Sequence, residues 1–444
     1  MDIIVIGLGV GGEEVAGRLA EAGLDVLGVE GRLVGGECPY YGCIPSKMMI
    51  RAGNALAEAR RVPTYAGQAA VRPDWAPVHA RIRDEATDNW NDQVAVDRFT
   101  GKGGTFLRGH ARLIGPGRVQ VGSDVYEAGR GVIIATGTTP VIPPIPGLAD
   151  SPYWTNRDAI EAAELPGSLT VLGGGAIGLE LAQVFARFGV AVTVVEAGDR
   201  LLAMEEPESS TVAQRALAGD GVTVHLGRRA VKVDGTTVFL DDGTEITSER
   251  VLVATGRRVD LAGLGLDTLG LDPGARALEV DEWMRAGEGL WAVGDVTGRD
   301  AFTHIAMYQA DIAVRDILGQ GGPAADYKAL PRVTFTDPEI GAVGLTEHQA
   351  REKGLAVGVG HTPLGSSTRG WIHGVGDEGF IKLVVDTDRG VLVGATSAGP
   401  DGGEVLAGLA VAVHAEVPLD TLRSMIYAYP TFHRAISEAV RTIH

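Results

Sequence analysis

Cysteine is almost absent from this chain, with two among 444 residues. That excludes a disulfide-stapled scaffold, and a chain of this length needs no staples because its core buries ample apolar surface. Basic residues are outnumbered, 39 Lys and Arg against 57 Asp and Glu, for a formal net charge of −18. Phosphate binding needs a basic surface, so no nucleic acid is expected as a partner, and an anionic membrane surface is disfavoured on the same ground. No run of about 18 or more apolar residues occurs, which predicts no membrane-spanning helix. A basic leader with a cleavage pattern is also missing. Met1-Asp2 passes straight into an apolar run and a glycine cluster, which predicts a cytoplasmic location without a signal peptide.

What is present is an ordinary soluble composition, 45% hydrophobic and 22% charged, long enough for three domains of about 150 residues each. Glycine is abundant at 64 residues, yet no window is of low complexity, so many tight turns are expected rather than disorder.

Two copies of one construction stand out. Residues 2–6 (DIIVI) form a buried-strand signal, followed by Gly7-x-Gly9-x-x-Gly12, a helical pattern, and a second strand ending at Glu30. SLTVL repeats the strand, followed by Gly173-x-Gly175-x-x-Gly178, a helix, and AVTVVE ending at Glu196. Glu30 follows Gly7, and Glu196 follows Gly173, by 23 positions. The glycines allow a tight turn and close approach to a pyrophosphate. The helix N-terminus supplies N–H donors, and the acid accepts from ribose hydroxyls. Each unit also carries a later strand ending in Ala-Thr-Gly: Ala135, Thr136 and Gly137 in the first, Ala254, Thr255 and Gly256 in the second. The Pro-rich stretch TTPVIPPIPG after the first reads as the crossing between domains.

Two dinucleotide sites are therefore expected, and flavin with nicotinamide is the pairing that makes chemical sense, one bringing a hydride and the other accepting it. Glu196 favours an unmodified ribose 2′-hydroxyl and repels a 2′-phosphate, which predicts NADH over NADPH; nearby Arg200 is the feature that speaks against it.

The two cysteines sit in GGECPYYGCIPSK, residues 35–47, with four residues between Cys38 and Cys43. A disulfide would close a small ring there if the Cβ geometry permits. Half a metal site and two inert thiols are the alternatives, although a zinc site would want two more ligands and no histidine lies near in sequence.

These pieces together resemble the pyridine nucleotide-disulfide oxidoreductase family, the flavoproteins that include dihydrolipoamide dehydrogenase, glutathione reductase and mercuric reductase. The likeness spans nearly the whole chain, extending to LWAVGDV (290–296), FTHIAMYQA (302–310), FTDPEIGAVGLTE (335–347) and GPDGGE (399–404). It implies an α/β fold with two Rossmann-like domains, FAD-binding over 1–148 and 268–325 and NAD(P)-binding over 149–267. A C-terminal α+β dimerisation domain over 326–444, and a homodimer whose active sites borrow residues across the interface, are implied as well. In that resemblance Asp295 holds the flavin ribityl chain and Lys47, paired with Glu180, sits near flavin N5. Cys43 lies against the flavin and Cys38 faces substrate. Hydride would pass from NADH to FAD, then electrons to a Cys38–Cys43 disulfide, and the Cys38 thiolate would attack a small-molecule electron acceptor.

One departure bears on that acceptor. The family's His-Pro-Thr-x-x-Glu, whose histidine serves the interchange thiol, is replaced by Tyr429-Pro430-Thr431-Phe432-His433-Arg434. A tyrosine of pKa near 10 is a poor base at neutral pH, where a histidine near 6.5 shuttles protons. Ordinary lipoamide or glutathione turnover is thus not expected. Mercuric reductases also carry tyrosine at this place, but with the glutamate and a C-terminal cysteine pair, whereas this chain ends Arg441-Thr442-Ile443-His444. The ketopropyl-coenzyme M carboxylase branch replaces the dyad with Phe and His, which Tyr429 and Arg434 do not match. The acceptor expected is an unusual disulfide, a metal ion or a small electrophile. The alternatives are a diaphorase passing electrons from flavin to quinones, and a flavin redox sensor without turnover.

Overall fold

The computed structural model describes residues 1–443. By contacts the chain divides into two compact units. The first comprises Met1–Ser46, His79–Val141 and Gly256–Asp326; the second comprises Lys47–Val78, Ile142–Thr255 and the chain from Tyr327 onward.

The first unit is built on a six-stranded sheet in the order Arg285–Gly287, Leu290–Ala292, Gly131–Ile134, Ile3–Ile6, Val26–Glu30, Thr105–Arg108. All neighbours run parallel except the pair at the Arg285 edge. Ile3–Ile6 lies in the middle and all four of its side chains are buried. Its uninterrupted apolar run follows from that: a parallel strand covered on both faces has no solvent side to alternate toward. Each such side chain contributes roughly 1.5–3 kcal/mol. One face packs on the helices Val10–Glu21 and Thr303–Ile317, with Val15, Leu19 and Ile312 in its core. The other is covered by the antiparallel meander Ala111–Gly115, Arg118–Val121 and Asp124–Glu127, through Leu113 and Val119.

In the second unit a four-stranded parallel sheet has the order Thr223–Leu226, Ala191–Glu196, Ser168–Leu172, Arg250–Val253. The helix Ala176–Arg187 follows its Ser168–Leu172 strand and is buried along most of its length. A five-stranded antiparallel sheet, Pro331–Thr334, Glu339–Gly344, Val391–Gly399, Phe380–Asp386 and Val357–Pro363 in that order, carries its own core under the helices Gly402–His414 and Ala435–Arg441. The architecture is mixed α/β, as the resemblance implied.

Candidate active site

The two glycine turns are nearly superimposable in their logic. Gly7 has φ +92° and a Cβ there would stand 2.5 Å from the Ala135 carbonyl oxygen; Gly173, at φ +112°, would meet the Ala254 carbonyl in the same way. At the third glycines, Gly12 and Gly178, a Cβ would collide with the carbonyls of Gly7 and Gly173, at 2.0 and 2.4 Å. Each Ala-Thr-Gly run is thus the strand end against which the first glycine is pressed, which is why the two motifs travel together. Thr136 contributes its backbone nitrogen to that wall in the first copy, and Gly137 follows at φ +66°. Gly256, at φ +118°, ends the second run and accepts a backbone hydrogen bond from Val141.

The middle glycines differ. Among the described residues a Cβ on Gly175 would meet nothing within 4 Å, and one on Gly9 only the Gly36 Cα at 4.0 Å. The chain's own atoms do not require glycine at either place, and the space over both is open to a ligand. Both residues are N-caps of twelve-residue helices, and no side chain among the described residues caps either one. Uncapped N–H groups over open space fit a dinucleotide pyrophosphate. Behind each turn stands its acid. Glu30 accepts from the Leu8 N–H at 2.8 Å and the Arg32 N–H at 2.7 Å, and Glu196 from the Gly174 and Gly198 N–H groups, both at 2.6 Å.

Cys38 lies on the short helix Glu37–Tyr41 and Cys43 opens the helix Cys43–Tyr65. Both are thiols here. Thr303 brings a hydroxyl to them: its Oγ1 is 3.3 Å from the Cys43 sulfur, and it also hydrogen-bonds Cys38. The hydrogen bond shared with Cys43, and then burial, push the Cys38 thiol well up, while Thr303 opposes the rise. Two thiols that interact this closely ionise in two separate steps that belong to the pair. Thr303 is also the first residue of a fifteen-residue helix, whose positive end favours a thiolate. Thr303 stands inside the run FTHIAMYQA, where sequence reading gave it no role.

Asp295 follows the strand Leu290–Ala292 and accepts from the Thr138 hydroxyl at 2.7 Å. Arg257 donates to the same hydroxyl at 2.8 Å and to the Thr138 carbonyl at 2.9 Å. Burial raises the Asp295 carboxyl above the usual range, against the pull of Thr138 and Arg257. Sequence reading gave neither Thr138 nor Arg257 a role, although each stands directly after an Ala-Thr-Gly run.

In the second unit Lys47 and Glu180 meet as expected, Nζ to Oε2 at 2.9 Å. Glu180 is buried on the helix Ala176–Arg187, and its other oxygen accepts from the Phe335 N–H at 2.8 Å. Lys47 lies over the Phe335 ring, 4.5 Å from its centre. Two hydrogen bonds and a ring fix both charges, which rules out a helix-surface glutamate.

The profile described as "Pyridine nucleotide-disulphide oxidoreductase" matches residues 1–310, and that of the family's dimerisation domain matches residues 330–440. The chain belongs to this family. It is 36% identical to a dihydrolipoyl dehydrogenase of Halobacterium salinarum over 99% of this chain and 95% of that one. It is 31% identical to a mercuric reductase of Staphylococcus aureus, over 99% and 82%. The Cu(II) complex of the HOCl-induced flavoprotein disulfide reductase RclA from Escherichia coli superposes with TM-score 0.87 at 27% identity, over 99% and 98%. The chain is thus an NAD(P)H-dependent flavoprotein oxidoreductase with FAD- and NAD(P)-binding parts and a dimerisation domain.

Two further residues singled out in the sequence, Arg200 and Tyr429, have contacts of their own. Arg200 is committed to its own loop, donating to the carbonyls of Ala203 at 2.6 Å, Glu205 at 2.8 Å and Leu202 at 3.4 Å. Tyr429 is 65% exposed, its hydroxyl 3.3 Å from the Thr368 hydroxyl and its ring 5.3 Å from the Arg434 guanidinium. Arg434 therefore stacks on the tyrosine where a glutamate would orient a histidine. Among the described residues no helix is long and apolar enough to cross a membrane, and no group of three or more His, Cys, Asp or Glu could hold a metal ion.

Proposed function

We propose that this enzyme oxidises NADH, in preference to NADPH, and passes the electrons through Cys38 and Cys43 to a small-molecule acceptor other than lipoamide or glutathione disulfide. The observation that carries the proposal is the Cys38–Cys43–Thr303 cluster: two sulfurs hydrogen-bonded to each other and to one hydroxyl at a helix N-terminus. Bound FAD supplies the two-electron relay between nicotinamide and sulfur. Gly7, Gly9, Gly12, Glu30, Thr136, Gly137, Asp295 and Lys47 would hold it, and Gly173, Gly175, Gly178, Glu196 and Gly256 would hold NADH. The preference for NADH is supported by Glu196 behind the turn and by Arg200 being spent on carbonyls. On this reading residues 1–148 with 268–325, 149–267, and 326–444 serve FAD, NAD and dimerisation in a cytoplasmic homodimer.

The chain's own residues divide the work. Lys47, held by Glu180, keeps a positive charge one turn along the helix from Cys43. Thr303 steadies the Cys43 thiolate, and Cys38 keeps its proton until it attacks. Tyr429 with Arg434 replaces the usual base, so the acceptor is a species that tolerates its absence: an unusual disulfide, a thiophilic metal ion or a small electrophile. The mercuric reductase relative and the Cu(II) complex of RclA lend support to the metal ion within that set.

An acceptor screen on wild type and Cys38→Ser tests this, with NADH and NADPH in parallel. Anaerobic NADH should produce the long-wavelength absorbance of a thiolate against flavin. Cys38→Ser should lose disulfide or metal reduction by roughly 100-fold or more, since the attacking nucleophile is gone. Quinone turnover as fast in the variant as in wild type, with no Cys-dependent acceptor found, would instead mark a diaphorase.

A further inference from the structure

Thiol exchange needs a proton carrier near the interchange sulfur, and Tyr429 and Arg434 do not provide one. The first unit contains a cavity of about 350 Å³ bordered by Cys38, Thr303, Glu13, Glu14, Arg98 and Lys102. Glu13 sits in the first turn of the helix Val10–Glu21, with its side chain only 15% exposed. Its Oε1 binds Arg98 at 2.6 Å, and its Oε2 hangs over Gly35, three residues before Cys38. Neither the nucleotide turns nor the Lys47–Glu180 pair makes use of it.

We propose that Glu13 is the proton carrier for Cys38, acting on acceptors that enter this cavity. The inference rests on the reading of Cys38 and Cys43 as the working pair. For a disulfide acceptor R–S–S–R′, the Glu13 carboxylate takes the Cys38 proton as the Cys38 sulfur attacks. The S–S bond of the acceptor breaks, and R′–S⁻ leaves with that proton as R′–SH. The Cys43 thiolate then attacks the mixed disulfide at Cys38, R–S⁻ departs and takes a proton from solvent, and the Cys38–Cys43 bond closes. Two electrons have passed from the sulfur pair to the acceptor, with one proton from Cys38 and one from solvent.

The surroundings suit this task. Burial pushes the Glu13 carboxyl up from its usual range, opposed by its hydrogen bond and charge pairing with Arg98 and by Lys102, and reinforced by Glu14 on its own helix. From the helix Glu37–Tyr41, Cys38 and Tyr40 face it; the Tyr40 phenol is itself held up, by burial first and then by Asp92 and Glu13. The helix Thr303–Ile317 adds the uncharged Thr303. A general acid or base works best with a pKa near the operating pH.

The test compares two acceptors on the FAD-loaded enzyme. Bis(2-hydroxyethyl) disulfide expels a basic thiolate that needs a proton; 5,5′-dithiobis(2-nitrobenzoate) expels an acidic thiol that does not. In Glu13→Gln the ratio of kcat with the first to kcat with the second should fall roughly 100-fold. Arg98→Met keeps the carboxyl and removes its cation, so the acid limb of the first acceptor's pH profile should move to higher pH. An unchanged ratio in Glu13→Gln, or an unmoved limb in Arg98→Met, overturns the role of Glu13. A wild type that turns over a quinone but reduces no disulfide, metal ion or electrophile in a Cys38-dependent way overturns the cysteine reading as well, which tells the two failures apart.

Discussion

Thr303 touches two sulfurs with one hydroxyl, and that makes it the most testable single side chain outside the cysteines. A hydrogen bond donated to a thiolate favours the charged form, so the hydroxyl lowers the pH at which the pair ionises. Thr303→Val keeps shape and volume and removes only that donor. The expected outcome is that the long-wavelength thiolate absorbance of the reduced enzyme appears at higher pH than in wild type. A spectrophotometric pH titration checks it, and an unmoved midpoint would mean the hydroxyl stabilises neither sulfur. Thr303 also marks the limit of what was legible. Cys38, Cys43, Lys47 and Glu180 stand in recognisable runs, and the structure brings the two cysteines together and pairs Lys47 with Glu180. Thr303, Thr138 and Arg257 act only because the fold carries residues more than a hundred positions apart into contact. Glu13 lies inside a legible motif, yet its charge reads as an ordinary helix-surface residue until the cavity is seen.

At the scale of elements, the strand–turn–helix unit was readable because its glycines and acid are spaced by backbone geometry alone. What spacing does not reveal is that the three glycines of a turn have different reasons to be there. Gly173 is required by the protein, since a Cβ would press on the Ala254 carbonyl at a φ of +112°. Gly175 is not required by the protein, since its backbone is extended and the space over it is open among the described residues, and on the proposed reading that space takes the nucleotide. Gly173→Ala should therefore cost about 1–3 kcal/mol of stability or more. Gly175→Ala should melt close to wild type while the KM for NADH rises. Calorimetry and steady-state kinetics on the two variants separate the roles, and equal loss of stability in both would refute the distinction. The acids follow the same division of labour, each bonded to N–H groups of its own turn and so holding the nucleotide cradle in shape.

For the molecule as a whole, the charge of −18 has to be arranged so that acids do not repel one another in the interior. Lys382 shows how. It lies on the strand Phe380–Asp386, 5% exposed, with Nζ 3.0 Å from Glu206, 2.9 Å from Glu208 and 3.0 Å from Glu347. Glu206 and Glu208 belong to the stretch matched by the nucleotide-binding profile, Lys382 and Glu347 to the dimerisation profile. One ammonium therefore ties the two family regions of the second unit. Burial opposes the charge on Lys382, but the hydrogen bonds it donates to the three carboxylates outweigh it and lift its pKa above the ordinary lysine value. A raised lysine contributes stability below its unfolded pKa and loses it only as pH climbs through the folded value, so this tie is intact at neutral pH. For Glu347, burial resists ionisation while Arg351 and Lys382 together hold the carboxyl below its usual range. Its contribution is present above the unfolded value and lost as pH falls through the lowered one. Lys382→Met should leave the buried Glu206 carboxylate without a cation and cost about 3–5 kcal/mol at pH 7. The deficit should shrink in acid, as the stranded carboxylates take up protons. Urea denaturation at pH 7 and pH 4.5 checks both statements, and a deficit that stayed constant with pH would show that lost packing, not stranded charge, sets the cost.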